Sequence, residues 1–280
     1  MSYKNKIITL LTIFSLMSVG WGCIDGVEVE LWGECYNIEE TTYLSLSWSG
    51  LTGEIPPEIG TLTNLTILYL HYNQLTGEIP PEIGNLTNLT RLQLYNNQLT
   101  GEIPPEIGNL MNLTSGLYLN HNQLTGEIPP EIGNLTNLTQ LYLNNNQLTG
   151  EIPPEIGNLM NLTSGLYLNH NQLTGEIPEE ICNQGDSTPS LGYNKLCPPY
   201  PECLTEEDIG YQDTSECEEE CPDSIEGDLN YDGIVNVIDI ISMVNCILSN
   251  NRCDICFDIS GDGFVDIIDV VDLVNIILDI

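Results

Sequence analysis

The stretch Leu51–Leu75, which reads LTGEIPPEIGTLTNLTILYLHYNQL, decides the fold of this chain. Its first ten residues recur every 24 or 25 positions, and the last copy differs at only two of them. The copies begin at Leu51, Leu75, Leu99, Leu124, Leu148 and Leu173. Repetition at roughly this period is typical of solenoids, in which each unit buries its hydrophobic edge against its neighbours. The sequence therefore predicts a stack of repeats around one continuous core.

Leucines and one asparagine hold fixed positions within each repeat. Leu65, Leu68 and Leu70 are expected to point inward from a short strand. Asn73 then turns the chain, because its amide can satisfy backbone groups inside the bend. The predicted strand segments are Leu44–Leu46, Leu68–Leu70, Leu92–Leu94, Leu117–Leu119, Leu141–Leu143 and Leu166–Leu168, with a degenerate segment that ends at Leu191.

The repeat reads LTGxIPxxIGNLxxLxxLxLxxNxL and resembles plant-type leucine-rich repeats, those of receptor kinases and polygalacturonase inhibitors, over about Leu44–Leu196. The resemblance implies an α/β leucine-rich-repeat solenoid with short parallel strands on the concave face and an irregular or 3-10 convex side. It also implies an arc-shaped binder of proteins, peptides or glycans. The identity of the ligand does not follow from the fold.

Three columns of side chains form the predicted concave face, since strand side chains alternate between the two sides of a sheet. The first is Ile67, Arg91, Gly116, Gln140, Gly165; the second is Tyr69, Gln93, Tyr118, Tyr142, Tyr167; the third is His71, Tyr95, Asn120, Asn144, Asn169. Tyrosine is a common anchor in binding surfaces. The candidate ligand-binding residues are therefore Tyr69, Arg91, Tyr95, Tyr118, Asn120, Tyr142, Asn144, Tyr167 and Asn169.

Glycines and histidines also occupy defined positions on or beside the predicted concave face. Gly116 and Gly165 are expected to leave space beside the tyrosines that follow them. His71, His121 and His170 are expected to be surface histidines in equivalent turns after the strands. The alternative to a binding role is that repeat duplication copied one solvent-tolerant strand.

The charge balance excludes several partners. Five Lys and Arg stand against 41 Asp and Glu, which gives a formal net charge of −36. Such a surface repels nucleic acid and anionic lipid and attracts divalent cations. Two glutamates in each repeat, at the positions of Glu54 and Glu58, form two columns that we interpret as a solvated flank, with a weak cation-binding ladder as the alternative.

The N-terminus is typical of a secretory signal peptide. Lys4 and Lys6 precede the apolar run Ile7–Val19, which is too short to span a bilayer. No later segment is long and apolar enough to be transmembrane, so we expect the protein to be secreted or attached to the cell surface. A lipoprotein anchor at Cys23 is an alternative that the preceding residues fit poorly.

All ten cysteines follow the predicted signal peptide, and an even number of cysteines in an exported chain favours disulfides. A Cys23–Cys35 bridge is the pairing that we predict. Zinc bound by the four thiolates of Cys217, Cys221, Cys253 and Cys256 is the alternative for the later ones. The predicted segments are the signal peptide 1–22, an N-terminal cap 23–43, the solenoid 44–197, a Cys- and acid-rich cap and linker 198–223, and a C-terminal module 224–280.

The C-terminal module contains the strongest chemical motif. Two segments, GDLNYDGIVNVIDIISMVNCIL and FDISGDGFVDIIDVVDLVNIIL, are related by an offset of 30 residues (Asp228 to Asp258), and each has the spacing of a twelve-residue calcium loop. The predicted ligands of the first ion are Asp228, Asn230, Asp232, the Ile234 carbonyl, Asn236 and Asp239. Those of the second ion are Asp258, Ser260, Asp262, the Phe264 carbonyl, Asp266 and Asp269. We therefore expect two bound calcium ions.

Aspartate at loop position 12 and a helix after each loop resemble a dockerin, over about residues 224–280. The resemblance implies a small all-α, double-loop module that attaches the chain to a cohesin-like partner. The positions that contact cohesin in dockerins hold Val237-Ile238 and Ile267-Ile268 here, which fits another hydrophobic partner better.

Taken together, these patterns predict a secreted, non-catalytic recognition or adhesion protein, since no GxSxG, HExxH, P-loop or Cys-His set is present. The solenoid is expected to bind a protein or glycan ligand while the calcium module anchors it to a surface or complex. The alternative is an accessory subunit of a polysaccharide-degrading, cellulosome-like assembly.

Overall fold

The computed structural model describes residues 22–163, 165–186, 188–215, 217, 227–229, 234–249, 259–260 and 265–278. The chain divides into two compact units, Met1–Thr214 and Ser215–Ile280. Of the predicted signal peptide, only Gly22 belongs to the described residues.

An antiparallel hairpin begins the first unit. Strands β1 (Glu28–Leu31) and β2 (Glu34–Asn37) pair with each other, and a disulfide joins Cys23 to Cys35 with a Cα–Cα distance of 5.5 Å. The predicted Cys23–Cys35 bridge is thus confirmed. Val29 and Leu31 of β1 are buried in the core of the repeats, so the hairpin covers the hydrophobic end that a solenoid otherwise exposes.

Six short strands form a parallel sheet in the order in which they occur along the chain. They are β3 (Tyr43–Ser45), β5 (Ile67–Tyr69), β7 (Arg91–Gln93), β8 (Gly116–Tyr118), β9 (Leu141–Tyr142) and β10 (Leu166–Tyr167). β4 (Thr52–Gly53) and β6 (Gln74–Leu75) pair in a second, two-stranded sheet. The predicted solenoid of parallel strands is confirmed, and most strands begin one residue earlier than the leucine pattern indicated. Ser190 bridges to Tyr167 at the predicted degenerate segment.

A 3-10 helix lies on the opposite side of each repeat, as the resemblance implied. The helices are Pro57–Thr61, Pro81–Asn85, Pro105–Asn109, Pro130–Asn134, Pro154–Asn158 and Glu179–Asn183. Neighbouring helices approach so closely that a Cβ on Gly84 would lie 2.5 Å from the carbonyl oxygen of Glu106. The glycine of the IPPEIG segment is therefore required for the repeats to stack.

An asparagine ladder joins successive repeats. The Oδ1 of Asn73 accepts from the N–H groups of Ser49 and Leu51, and its Nδ2 donates to the carbonyls of Leu46 and Leu70. The equivalent residues are Asn97, Asn122, Asn146, Asn171 and Asn194. This confirms the role predicted for Asn73. The leucines and isoleucines of all the repeats form one buried cluster beside the ladder.

The ladder continues beyond Cys197. The N–H of Tyr193 donates to the carbonyl of Tyr211, and the Nε2 of Gln212 donates to the carbonyls of Leu191 and Ile209. Gln212 thus takes the place of the ladder asparagine. The short helix α1 (Glu206–Ile209) precedes it, and a Cys182–Cys203 disulfide ties this segment to the last full repeat.

The second unit contains two amphipathic helices, α2 (Val237–Ser249) and α3 (Ile267–Leu278). Met243 of α2, Leu273 of α3 and Leu229, which precedes both helices, form its buried hydrophobic cluster. Among the described residues, the structure contains no helix with both the length and the apolar composition needed to cross a bilayer.

Candidate ligand-binding face and calcium loops

The sheet register aligns the predicted second column. Tyr69 lies opposite Gln93, which lies opposite Tyr118, and Tyr142 and Tyr167 continue the same row. The rings of Tyr118 and Tyr142 meet edge to face at 5.1 Å, and those of Tyr142 and Tyr167 at 4.6 Å. Such contacts are favourable beyond the area that they bury. Most of these rings are half-buried rather than freely exposed, because each packs against its neighbours.

The glycines of the first column do not leave open space. A Cβ on Gly116 would lie 2.6 Å from ring atoms of Tyr118, and a Cβ on Gly165 would collide with the ring of Tyr167 and lie 2.9 Å from that of Tyr142. The tyrosine rings therefore fold over the glycines and fill the space that we expected beside them. The resulting surface is continuous and aromatic.

Polar groups fix several rings. The guanidinium of Arg91 donates to the hydroxyl of Tyr69 at 3.0 Å, and the hydroxyl of Tyr118 donates to the Oε1 of Gln140. Burial raises the pKa of Tyr118 above its ordinary value, and Arg91 opposes this effect. Burial, followed by the neighbouring tyrosines, also raises the pKa of Tyr95 and of Tyr142. The rings are therefore neutral hydrogen-bonding groups at physiological pH.

Three acceptor atoms beside the tyrosines are buried without a hydrogen-bond partner in the described part of the chain. They are the Nδ1 of His71 and the Oδ1 atoms of Asn120 and Asn169, all in the third column. A buried polar atom without a partner is costly, and in native proteins such an atom calls for an explanation. Because solvent does not reach these atoms, a ligand on the surface does not contact them in this side-chain arrangement.

The histidines are not equivalent, contrary to the expectation from the sequence. His71 lies in the third column, and burial lowers its pKa below the ordinary 6.5. His121 and His170 lie one position later, where the backbone is left-handed with φ of 55° and 56°. Both are exposed.

This left-handed position adds candidate site residues that the predicted columns do not contain. It is occupied in successive repeats by Trp48, Tyr72, Asn96, His121, Asn145, His170 and Tyr193. Trp48 is 71% exposed, and its ring stacks on that of Tyr72 at 4.0 Å. Tyr72 in turn meets Tyr95 of the third column at 5.3 Å. Extending the columns by one residue, to the position before each ladder asparagine, would have identified them.

The described parts of the two predicted calcium loops share one geometry. Both oxygens of Asp239 accept backbone hydrogen bonds, from Leu229 at 2.9 Å and Asn236 at 2.8 Å. Asp269 accepts equivalent bonds from Ser260 and Asp266. Burial raises the pKa of Asp269, but these hydrogen bonds outweigh that effect and hold it below its ordinary value.

The predicted calcium ligands that the structure describes include three buried aspartates. Asp239 and Asp269 are fully buried at loop position 12, and Asp228 is 3% exposed at position 1. Ile234, Asn236 and Asp266 belong to the same loops and are also described, and the predicted ligands Asn230, Asp232, Asp258, Asp262 and Phe264 lie outside the described residues. Within the part of the chain that the structure describes, no three or more metal-binding side chains are grouped together.

Zinc is disfavoured at the later cysteines. Cys217 is disulfide-bonded, so it has no thiolate to offer a metal. Cys221, Cys253 and Cys256 lie outside the described residues.

Comparisons with known proteins agree with the geometry of the first unit. The family "Leucine Rich repeats (2 copies)" matches residues 63–105 and 115–154, and "Leucine Rich Repeat" matches residues 40–62 and 164–184. No curated protein matches the chain in sequence. The solenoid contains leucine-rich repeats and is similar to the ectodomains of plant leucine-rich-repeat receptors.

Three solved structures illustrate this similarity. The Arabidopsis receptor kinase HAESA, in complex with the peptide hormone IDA and the co-receptor SERK1, is 35% identical with a TM-score of 0.53, over 60% of this chain and 28% of that one. The Arabidopsis thaliana receptor kinase GASSHO1/SCHENGEN3, in complex with CASPARIAN STRIP INTEGRITY FACTOR 2, is 38% identical with a TM-score of 0.50, over 56% and 22%. A TDR receptor is 37% identical with a TM-score of 0.50, over 56% and 27%. The chain thus spans about a quarter of the length of these structures.

Proposed function

We propose that the chain is an extracellular, non-catalytic recognition protein whose concave face binds a ligand. The observation that carries this proposal is the row of half-buried tyrosines along the concave face, whose rings contact one another from repeat to repeat. HAESA and GASSHO1/SCHENGEN3 are similar in fold and have been solved with a peptide hormone and with an integrity factor, respectively. The disulfides Cys23–Cys35 and Cys182–Cys203 agree with an exported protein.

The residues that form this proposed site are Tyr69, Arg91, Tyr95, Tyr118, Asn120, Tyr142, Asn144, Tyr167 and Asn169, to which the structure adds Trp48 and Tyr72. Their rings supply apolar contact area at low entropic cost, and the amides supply adaptable hydrogen bonds. Peptides and glycans both suit this site, since both present apolar faces and hydrogen-bond donors.

An array that contains both peptides and oligosaccharides, probed with the full chain, tests this function. We expect wild type to retain at least one ligand, and Tyr118→Ala with Tyr142→Ala to abolish its retention. Met111→Ala with Met160→Ala, at positions 56% and 68% exposed in turns after the 3-10 helices, serves as the control and should retain it. Equal retention by all three proteins would contradict ligand binding on the concave face.

We also propose that residues 224–280 bind two calcium ions and attach the chain to a partner, as a dockerin-like module does. The supporting observation is the set of buried aspartates at equivalent loop positions. Residues 223–280 include twelve acidic residues and one basic residue, Arg252. Calcium would supply the positive charge that allows the loop carboxylates to converge. Binding only to the folded form would stabilise the module by mass action.

Exposed apolar side chains indicate the chemistry of the partner. Ile238, Ile241 and Leu248 on α2 are 51%, 53% and 77% exposed, and the residues 30 positions later on α3, Ile268, Val271 and Leu278, are 49%, 52% and 58% exposed. Contiguous exposed apolar residues are typical of protein interaction sites. The partner would therefore be hydrophobic, whether cohesin-like or another protein. A cohesin-type partner would make the chain an accessory subunit of a polysaccharide-degrading assembly.

Circular dichroism and calorimetry of the full chain test the calcium proposal. We expect the helical signal to rise when calcium replaces EDTA, with two ions bound per chain. Asp269→Ala should reduce this to one ion, whereas Asp272→Ala, on the same helix but outside the predicted ligands, should retain both. Equal helicity in EDTA together with no heat of calcium binding would contradict the proposal.

A further inference from the structure

One aromatic ring from each of six successive repeats forms a continuous diagonal across the sheet. We call this the aromatic track, and its members are Trp48, Tyr72, Tyr95, Tyr118, Tyr142 and Tyr167. The centroid distances between successive rings are 4.0, 5.3, 6.3, 5.1 and 4.6 Å. The track crosses from the left-handed position through the third column to the second, so no single column reveals it.

The spacing of the track favours one kind of linear ligand. Parallel strands lie about 4.8 Å apart, so six rings cover about 24 Å with one ring per strand. An extended peptide advances by about 3.3 Å per residue and falls out of phase with this repeat. A pyranose in an extended β-1,4-linked chain advances it by close to one strand spacing, so each sugar can meet one ring.

The polar groups beside the track match the same ligand. The side chains of Arg91 and Asn144 are partly exposed beside the track, and guanidinium and amide groups form hydrogen bonds with sugar hydroxyls. Pyranose rings also present apolar C–H faces that pack on aromatic rings. The hydroxyls and the apolar C–H faces of a sugar thus both have a counterpart on the concave face.

The charge of the face favours a neutral ligand. None of the fifteen residues in the three columns is acidic, and Arg91 is the only basic one, although the whole chain has 41 acidic residues. A polyanionic glycan would meet the negative field of the rest of the chain. A neutral glycan avoids that repulsion.

We propose that the aromatic track binds a linear, neutral, β-1,4-linked oligosaccharide of about six sugars. This inference rests on the proposed function, since it names the ligand class of the concave face. It assigns Trp48 and Tyr72 to the binding of the end of the oligosaccharide and Arg91 and Asn144 to its hydroxyls.

Calorimetric titration of the full chain with defined oligosaccharides tests this assignment. The probes are the hexasaccharides of cellulose, mannan, xylan and chitin, with maltohexaose, whose α-1,4 linkages curl the chain, as the control. We expect at least one of the first four to bind, with affinity that falls as the chain is shortened towards the disaccharide, and maltohexaose not to bind.

Two matched variants locate the binding. Trp48→Ala should weaken binding of the hexasaccharide by about fivefold or more, as expected for an aromatic anchor. Tyr193→Ala should leave it unchanged, although Tyr193 occupies the same left-handed position, is 57% exposed and stacks on His170 at 4.3 Å. Trp48 is exposed at the first repeat, so its removal should not unfold the solenoid.

Three results would overturn the proposal. If no neutral hexasaccharide binds while the array yields a peptide that depends on Tyr118 and Tyr142, the ligand class is wrong and the proposed function stands. If a hexasaccharide binds equally to wild type and to Trp48→Ala, the track is not its site. If neither class of ligand binds, the inference and the proposed function both fail.

Discussion

At the scale of the residue, His71 shows how burial on the concave face sets chemical properties. Its ring stacks on Tyr95 at 4.6 Å with the two planes 7° apart. Burial lowers its pKa, because the charged imidazolium loses hydration there. His71 is therefore neutral at pH 7.

We predict that His71 titrates below pH 6.5 in a proton NMR experiment, with His71→Gln used to assign its signal. A base whose pKa is lowered in the folded state contributes stability that is present above the unfolded pKa of about 6.5 and lost as the pH falls through the folded value. The urea midpoint of wild type should thus fall more between pH 7 and pH 5.5 than that of His71→Gln. A midpoint of titration at or above 6.5 would contradict the stacked, desolvated ring.

At the scale of the element, the asparagine ladder connects the repeats by hydrogen bonds to backbone N–H and C=O groups. A leucine side chain cannot form these bonds. Asn146 accepts from the N–H of Leu124 at 3.1 Å and donates to the carbonyls of Leu119 and Leu143 at 3.1 and 2.9 Å. Its side chain thus bridges two turns of the solenoid. Loss of the amide would leave backbone groups without partners in the interior.

Asn146→Ala is accordingly expected to destabilise the solenoid by about 2–4 kcal/mol, since unsatisfied buried groups cost about 1–3 kcal/mol each. Asn134→Ala, at an exposed position of a 3-10 helix, is the control and should stay within about 0.5 kcal/mol. Tryptophan fluorescence during urea unfolding reports on the solenoid, because no tryptophan lies after Trp48. Similar losses for both variants would argue against the ladder as a source of stability.

The register of these elements could be predicted from sequence because duplication repeats the same signal six times. The columns through Tyr118 and Tyr142 follow from alternation alone. The aromatic track could not be predicted in this way, since it depends on the left-handed turn that places Tyr72 beside Tyr95. The packing of Tyr118 over Gly116 depends on a side-chain rotamer, and aligning the repeat sequences does not predict rotamers.

At the scale of the whole molecule, the sequence predicts the end of the solenoid less well than its repeats. The leucine pattern fades after Leu196, whereas the hydrogen-bond ladder continues to Asp213, whose N–H donates to the carbonyl of Asn194. Gln212 replaces asparagine there with a longer side chain, so the sequence motif is lost while its bonds are kept. The calcium ligands remain a prediction from spacing, which duplication by 30 residues again makes specific.

Hydroxyl-radical footprinting of the full chain, with and without a saturating amount of a ligand retained on the array, tests the concave-face assignment most directly. We expect bound ligand to reduce the oxidation of Tyr118, Tyr142 and Tyr167, because it covers their rings. Met111 and Met160, both exposed in turns after the 3-10 helices, should oxidise as before. Unchanged oxidation of the three tyrosines, or protection confined to the methionines, would contradict ligand binding on the concave face.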